Sequence, residues 1–277
     1  MKCDCHIHMV LDGVNWKQAI SRHQEKPDEG YIRQVLSAYQ DLGYTYLRDG
    51  GDRWGVGAMA RELAGEYGIT YKTPLAPIYK VGNYGSFIGV GYETVKEFAQ
   101  LVVRTRAAGA DFIKIMISGL MDFNQYGVLT ESKLSGQEIK ELIHICHEEG
   151  MAVMVHGNGN DAVEAAARAK VESVEHGAYL QTDALCAMEE AGTVWVPTLS
   201  TIGNLRGKGR FSEDSVAKIL DSALDTLSRY RGLVACGTDA GAWAVPHGCA
   251  AEEEFLAQAG VTADMVALGN QKIAERF

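Results

Sequence analysis

The sequence lacks any apolar run near the roughly 20 residues that a transmembrane helix needs. Its first ten residues, MKCDCHIHMV, place an acid and two histidines where a secretory signal requires an unbroken apolar core. Cysteine is also scarce, since six in 277 residues are too few for a disulfide scaffold and are expected to remain reduced in a cytosol. These absences predict a cytoplasmic protein that is not bound to a membrane.

Positive charge is in deficit, because 26 Lys and Arg residues stand against 36 Asp and Glu residues for a formal net charge of -10. Phosphate backbones are repelled on average, so nucleic acid is not an expected partner. Proline is rare, whereas 31 glycines and a hydrophobic content of 47% are typical of a globular protein with a sizeable core. The expected partner is a small-molecule substrate, and a homo-oligomer remains open.

Apolar segments alternate with amphipathic segments along the whole chain, and no linker divides it. The predicted strands are 2–8, 44–49, 69–75, 111–117, 151–156, 172–176, 193–198 and 233–239. The predicted helices between them include 95–109, 135–150, 161–170, 182–192 and 212–232. Eight strand and helix repeats predict a (β/α)8 barrel, an α/β fold formed as one domain by residues 1–277. A doubly wound open sheet is the alternative.

Catalytic groups of such a barrel stand at the carboxyl ends of its strands. Residues able to bind a metal or transfer a proton end five of the predicted strands. They are His6, His8, Lys114, His156, His176 and Asp239. A single histidine at a strand end is more often structural, and Asp239 could simply cap a turn. The recurrence of these residue types at successive strand ends favours a functional site.

His6 and His8 are two positions apart on a strand, so both imidazoles are expected on one face, where they could bind one cation. The same alternation predicts that Asp4 points inward with them. It also predicts that Cys3 and Cys5 point outward and pack against helices. A thiolate metal site in the CDCH segment is the less favoured alternative.

Lys114 lies in the apolar segment FIKIMIS, where an unpaired ammonium is costly to bury. Burial is expected to lower the pKa of Lys114, leaving a neutral amine that can react with carbon dioxide to form a carbamate. A lysine at the rim, paired with a carboxylate, is the alternative.

The ordered segments HIH, LRDGG, FIKIMISG, VMVHG, VEHG, VPTLS and GTDAG resemble the amidohydrolase superfamily. Within it, the chain is most similar to the prolidase-like and imidazolonepropionase-like branch. This resemblance implies a binuclear metal centre, with one cation bound by His6, His8 and Asp239 and a second by His156 and His176. It also implies that carboxylated Lys114 and a hydroxide bridge the two cations.

The resemblance implies hydrolysis of an amide bond in a small molecule such as a dipeptide, an N-acyl amino acid or a cyclic amide. The hydroxide would attack the carbonyl, and Asp239 would take its proton and return it to the leaving amine. Zinc is the expected metal, with manganese, cobalt or iron as alternatives. Lactone, ester or organophosphate hydrolysis remains open, as do a mononuclear deaminase and a non-catalytic metal-binding or ligand-sensing barrel.

Two features depart from the family pattern. Many members carry a small β-sandwich beside the barrel, which is expected to be absent from this chain. Similar members often have a tyrosine two residues after the fifth-strand histidine, where this sequence has Asn158. Asn158 is a candidate for a weaker hydrogen bond to substrate, and Tyr84 or Tyr92 could substitute for the missing tyrosine.

Long loops after the strands are expected to determine specificity. The loop at 200–211 carries Arg206, Lys208 and Arg210 among glycines and is a candidate mobile lid for a substrate carboxylate, or else a solvated loop. His247, after the last strand, is a further candidate substrate contact.

Overall fold

A computed structural model describes residues 1–277, in which parallel strands alternate with helices. The strands are β1 (Cys3–Ile7), β2 (Tyr46–Asp49), β3 (Thr70–Lys72), β4 (Ile78–Lys80), β5 (Val90–Tyr92), β6 (Ile113–Met116), β7 (Val153–Gly157), β8 (Ser173–His176), β9 (Val194–Val196) and β10 (Leu233–Val234). The helices are α1 (Trp16–Ser21), α2 (Glu29–Asp41), α3 (Val56–Ala64), α4 (Val95–Ala107), α5 (Gly136–Glu148), α6 (Asn160–Arg168), α7 (Thr182–Ala191), α8 (Ser200–Gly203), α9 (Glu213–Arg229), α10 (Ala251–Gln258) and α11 (Ala263–Arg276). None of the helices has the length and hydropathy that a bilayer crossing requires.

The helix boundaries follow local capping chemistry. Thr94 begins α4 with a capping box, because its hydroxyl accepts from the amide of Glu97 and the Glu97 carboxylate accepts from the amide of Thr94. Ser135 and Ser212 cap α5 and α9 in the same way, by accepting an amide hydrogen bond three residues on. The predicted helices therefore begin within one residue of the observed ones.

The strands form two parallel sheets, with orders β1-β2-β3 and β10-β9-β8-β7-β6-β4-β5, and backbone hydrogen bonds join the sheets at both seams. At one seam, the amide of Cys5 donates to the carbonyl of Cys236 at 2.8 Å. The amide of Asp239 donates to the carbonyl of His6, and the amide of His8 donates to the carbonyl of Ala240, both at 2.7 Å. At the other seam, the amide of Asp111 donates to the carbonyl of Thr73 at 3.0 Å. These bonds close the predicted (β/α)8 barrel.

The third strand of the barrel is broken into β3 and β4. Pro74 and Pro77, which have no amide hydrogen to donate, lie in the break, and Leu75 between them has a left-handed φ of 64°. After the break, β4 pairs with β6 on one side and with β5 on the other. Sequence patterning treats β4 and β5 as loop, because the segment is rich in glycine and tyrosine and has little apolar alternation.

An irregularity in β1 overturns the predicted orientation of Asp4. The pairing of β1 with β2 shifts between Asp4 and Ile7, which is a β-bulge. Asp4 consequently reaches Tyr39 on the outer helix α2, at 3.4 Å from its hydroxyl. Cys3 and Cys5 pack in a cluster that includes Met154 and Val194 of the strands and Ile273 of α11. Sγ of Cys5 also lies 3.5 Å from Oδ1 of Asn270 on the same helix. Both cysteines are packing residues, as expected, and Cys5 contacts a helix.

The largest apolar cluster lies between the strands and the helices that surround them, where alternate residues of the central strands meet α4 to α7. The opposite faces of the same strands line the barrel interior. Because β-strand side chains alternate between faces, Val153 and Val155 face the helices whereas Met154 and His156 face inward. The inward face is the one that carries the polar residues of the strand ends.

Candidate metal centre

The six residues selected from the sequence lie together at the carboxyl end of the barrel. His6 lies in β1, Lys114 in β6, His156 in β7 and His176 in β8, while His8 and Asp239 directly follow β1 and the extended segment after β10. All of them are buried except His176, which is partly exposed to a cavity above the barrel.

His6, His8 and Asp239 form a group whose potential ligand atoms lie within 4.8 Å of one another. Oδ1 of Asp239 is 3.5 Å from Nε2 of His6 and 3.3 Å from Nε2 of His8. Neither Oδ1 of Asp239 nor Nδ1 of His8 has a hydrogen-bond partner, although both atoms are buried. Buried polar atoms normally have hydrogen-bond partners. This group therefore has the ligand types of a cation site and two buried atoms that a cation could bind.

His156 and His176 form the second half of the centre. Their ring centroids are 4.5 Å apart, and the His176 ring is 5.3 Å from that of His6. Nε2 of His156 donates to the carbonyl of Gly119 at 3.2 Å, which leaves Nδ1 unprotonated. Nδ1 of His176 lies 2.7 Å from the hydroxyl of Thr198, so Nε2 is its free nitrogen. Each imidazole thus retains one nitrogen for a ligand.

Burial sets the charge states of these groups. It lowers the pKa values of His6, His8 and His176 well below the ordinary value and that of His156 to about 3, and the nearby charge of Lys114 lowers them further. The imidazoles are therefore neutral, which is the form that binds metal.

Burial also lowers the pKa of Lys114 to about 8, with the charges of Asp239 and Glu175 opposing the change. This confirms the expected direction for a lysine in the FIKIMIS segment. Burial raises the pKa of Asp239 to about 7, and the positive charge of Lys114 opposes that rise.

Three residues of the centre have a left-handed backbone. The φ angles are 69° for His176, 58° for Asp239 and 47° for Thr198. Residues with a Cβ atom adopt this conformation at a cost, and such strain is concentrated at functional sites. Here it turns side chains at the ends of β8, β9 and the last barrel strand into the mouth of the barrel.

One known protein family matches nearly the whole of this chain. The model of the Amidohydrolase family matches residues 4–273. The chain belongs to the amidohydrolase family.

Two relatives illustrate the range of this amidohydrolase's similarities. Ochratoxinase of Aspergillus niger is 25% identical over an alignment of 276 residues in length. The alignment covers 84% of this chain and 55% of the relative. An uncharacterized protein of Mycobacterium tuberculosis is 31% identical over 144 residues, covering 47% of this chain and 37% of the relative. The chain thus spans about half the length, or less, of the curated relatives that it matches.

Solved structures share the fold of the amidohydrolase chain. A Xaa-Pro dipeptidase with bound methionine in its active site has a TM-score of 0.75 at 21% identity, covering 99% of this chain and 72% of that protein. The A. niger ochratoxinase structure has a TM-score of 0.75 at 21% identity, covering 95% of this chain and 68% of that one.

Sequence reasoning missed two charged residues of the amidohydrolase site, Glu175 and Arg48. Both are fully buried, and Oε2 of Glu175 accepts a hydrogen bond from Nδ1 of His6 at 2.8 Å while Oε1 accepts from Arg48 at 2.8 Å. The available signal was position, because each charged residue is the last but one of a predicted strand. Burial raises the pKa of Glu175, and the guanidinium of Arg48 opposes that rise.

A cavity of about 740 Å³ opens above the centre and is lined by His8, His176 and Asp239. Tyr84, proposed from the sequence, lies in its wall with its ring centroid 4.8 Å from that of His156. Arg210 is the one Lys or Arg residue that lines the cavity. Further aromatic side chains of the wall are Trp16, Phe87, Phe123, Phe211 and Trp243.

Other sequence candidates lie outside this cavity. Asn158 is fully buried, where its side chain donates to the carbonyl of Gly119 (3.0 Å) and accepts from the amide of Ala178 (3.0 Å). Tyr92 donates to Glu138 on α5 at 3.2 Å. The structure therefore brings neither side chain to the cavity wall.

Two candidates from the loops, His247 and Arg206, likewise do not line the cavity. The Nε2 atom of His247 donates to the carbonyl of Leu11 at 3.0 Å, and Nδ1 lies 3.3 Å from the Tyr39 hydroxyl. Arg206 is exposed, and the loop that bears it includes the short helix α8. Of the three basic residues in this loop, only Arg210 reaches the cavity.

Proposed function

We propose that this amidohydrolase cleaves an amide bond of a small molecule such as a dipeptide, an N-acyl amino acid or a cyclic amide. The observation that carries the proposal is the convergence of His6, His8 and Asp239 at the floor of the cavity, beside Lys114 and the His156–His176 pair. The Xaa-Pro dipeptidase and ochratoxinase structures that share this fold support the proposal.

The residues present fit a pair of divalent cations. His6, His8 and Asp239 would hold the first, and the buried unpartnered atoms of His8 and Asp239 are the observation in its favour. His156 and His176 would hold the second, with carboxylated Lys114 between the two. The mixture of imidazole nitrogen and carboxylate oxygen suits zinc, although manganese, cobalt and iron accept the same ligands.

Carboxylation of Lys114 would require a neutral amine. The neutral Nζ atom forms a bond to the carbon of carbon dioxide and releases one proton, which gives an anionic carbamate. Burial of Lys114, which is 1% exposed, and the lowering of its pKa to about 8 both favour the neutral amine over an exposed lysine.

Bound divalent cations would supply positive charge that polarises a carbonyl and lowers the pKa of a water molecule. Asp239 would accept the proton of the attacking water and return it to the amine as the carbon–nitrogen bond breaks. A carboxylate can accept a proton as a base and return it as an acid, which are the two transfers the reaction requires.

Arg210 would bind a carboxylate of the substrate. Its guanidinium lies 4.4 Å from the ring centroid of Trp243 and 5.2 Å from that of Phe211. Stacking on two aromatic rings restricts an arginine while leaving its donors free for an anion. The aromatic wall around it would pack on the apolar part of the substrate.

The Arg210→Ala variant tests this assignment, with Arg206→Ala as its matched control. For N-acyl amino acids with a free carboxylate, R210A should raise KM about tenfold to a hundredfold with little change in kcat, because one charge-assisted hydrogen bond is lost. R206A should behave as wild type. Equal KM values in all three proteins would refute the role of Arg210.

The function itself is tested by measuring metal content and turnover together on a library of dipeptides, N-acyl amino acids and cyclic amides. The expected result is zinc-dependent amide hydrolysis that Asp239→Asn abolishes in a folded protein. Turnover confined to lactones, esters or organophosphates would show that the enzyme hydrolyses those substrates and not amides. Two bound cations with no turnover on any substrate would favour a metal-binding or ligand-sensing barrel.

A further inference from the structure

A chain of hydrogen-bonded side chains crosses the barrel interior beneath the metal centre. Arg48 donates through one nitrogen to Oε1 of Glu175 (2.8 Å) and through another to the hydroxyl of Ser173 (2.9 Å). The Ser173 hydroxyl donates to the same Oε1 at 2.6 Å. Oε2 of Glu175 contacts Nδ1 of His6 at 2.8 Å. All four residues are fully buried.

The two oxygens of Glu175 therefore have different partners. Oε1 is held by two donors, and Oε2 faces only the His6 imidazole. A carboxylate can only accept, so Nδ1 of His6 must carry the ring proton. The other nitrogen, Nε2, then presents a lone pair, and it lies 3.0 Å from Nζ of Lys114, which donates to it. The contact with Glu175 specifies this tautomer, and the contact with Lys114 is compatible with it.

We propose that Glu175 is a positioning residue that fixes the tautomer of His6, and that Arg48 and Ser173 orient Glu175 for this role. The Nε2 lone pair of His6 is thereby directed toward the space that His6 shares with His8 and Asp239. The value of this tautomer for metal binding rests on the proposed function, whereas the tautomer itself exists without metal.

The isosteric variant Glu175→Gln gives a specific expectation. Arg48 and Ser173 can only be satisfied if the amide oxygen of the new side chain takes the place of Oε1. The amide nitrogen then faces Nδ1 of His6 as a donor, so Nδ1 must accept and the ring proton must move to Nε2. A change of a single atom in a residue that does not line the cavity should therefore block the ligand nitrogen without adding volume.

The experiment is nitrogen-15 NMR of the metal-free protein labelled at histidine, with the His6 signals identified by their loss in His6→Asn. Wild type should show a protonated Nδ1 and an unprotonated Nε2, and E175Q should show the reverse. The zinc affinity of E175Q, measured by competition with a chelating dye, should fall about tenfold to a hundredfold. Ser173→Ala, which keeps the arginine on Oε1, should retain the wild-type tautomer.

The double variant R48M/E175Q covers the case in which E175Q alone does not fold. Without the guanidinium, the Gln side chain can turn its oxygen toward Nδ1, so the wild-type tautomer and much of the zinc affinity should return. A wild-type His6 protonated on Nε2, or an E175Q protein with its tautomer and zinc affinity unchanged, would overturn the proposal. Loss of the proposed hydrolase activity is a separate result, because the tautomer is measured without metal or substrate.

Discussion

Thr238, the residue before Asp239, is bound twice by the carboxylate of Asp4. Its amide donates to Oδ1 at 2.9 Å, and its hydroxyl donates to Oδ2 at 2.6 Å. The same hydroxyl accepts from the amide of Ala240 at 3.0 Å. The outward turn of Asp4 at the β1 bulge thus anchors the strand end that carries Asp239.

Thr238→Val should lower the free energy of unfolding by about 1–3 kcal/mol, because it leaves the buried amide of Ala240 without an acceptor and removes a donor from Asp4. Thr238→Ser keeps the hydroxyl and should cost only the lost methyl group, about 0.8 kcal/mol. Urea-induced unfolding of the two variants measures the difference. Equal destabilisation by valine and serine would show that the hydroxyl contributes nothing.

Zinc should stabilise the metal-free protein against heat. A ligand at one hundred times its Kd raises the free energy of unfolding by about 2.7 kcal/mol per site, and a chelator should reverse the change. His8→Asn should weaken the response in thermal unfolding, since His8 belongs to the group around Asp239. His144→Asn is the control, because His144 is exposed on α5. An identical response in both variants would contradict the assignment of His8.

His247 should make the protein acid-sensitive. Burial lowers its pKa to about 4 from an ordinary value of 6.5, so between these limits the unfolded chain binds a proton that the folded protein does not. Stability from this group is therefore lost as pH falls from about 6.5 to about 4, at no more than about 1.4 kcal/mol per pH unit.

His247→Gln removes this titration and can still donate to the carbonyl of Leu11. The difference in free energy of unfolding between wild type and H247Q should shrink as the pH falls through that window. Urea-induced unfolding at several pH values provides the measurement. A constant difference across the window would exclude a buried, neutral His247.

Gly269 allows α11 to lie directly against β10. A Cβ atom at this position would be 1.9 Å from the carbonyl oxygen of Val234. Gly269→Ala should therefore lower the thermal midpoint despite a gain in helix propensity of about 1 kcal/mol, because the clash is with backbone that cannot move aside cheaply.

Gly65→Ala is the matched control, since its Cβ would meet nothing within 4 Å and its φ of -59° suits any residue. It should leave the thermal midpoint unchanged or raise it slightly. If G269A were as stable as G65A, the close approach of α11 to β10 would be wrong.

The barrel and the convergence of its polar strand ends were predictable because both follow from local patterns. Apolar strands ending in His6, His156 or His176 alternate with capped helices, and parallel strands of a barrel bring their carboxyl ends to one mouth. The sequence was therefore sufficient to predict the strands and helices of the barrel. It was also sufficient to predict which residues meet at the centre.

The interior network was not predictable in the same way. The orientation of Asp4 depends on a shift in pairing between β1 and β2, and such a bulge has no signature in the alternation of a five-residue strand. Arg48 and Glu175 lie 127 positions apart, and nothing in their own segments indicates a partner. Their pairing appears only when β2 and β8 are placed across the barrel from each other.

The cavity wall was predicted only in part for a related reason. Tyr84 reaches it, but Tyr92 falls on β5, which pairs on the outer side of β4 and holds the tyrosine against Glu138. The sequence shows that this segment contains tyrosines. It does not show that the strand breaks at Pro74 and Pro77, and this break determines the direction of the chain that follows.

The seam between β1 and the segment after β10 determines when the candidate metal centre can form during protein synthesis. His6 and His8 leave the ribosome long before Asp239, so a growing chain offers two imidazoles with no carboxylate beside them. The trio is complete only after the contact of greatest sequence separation in the barrel has formed, which is the slowest kind of contact to establish. Tight retention of a cation by His6, His8 and Asp239 would therefore mark a chain that has finished folding.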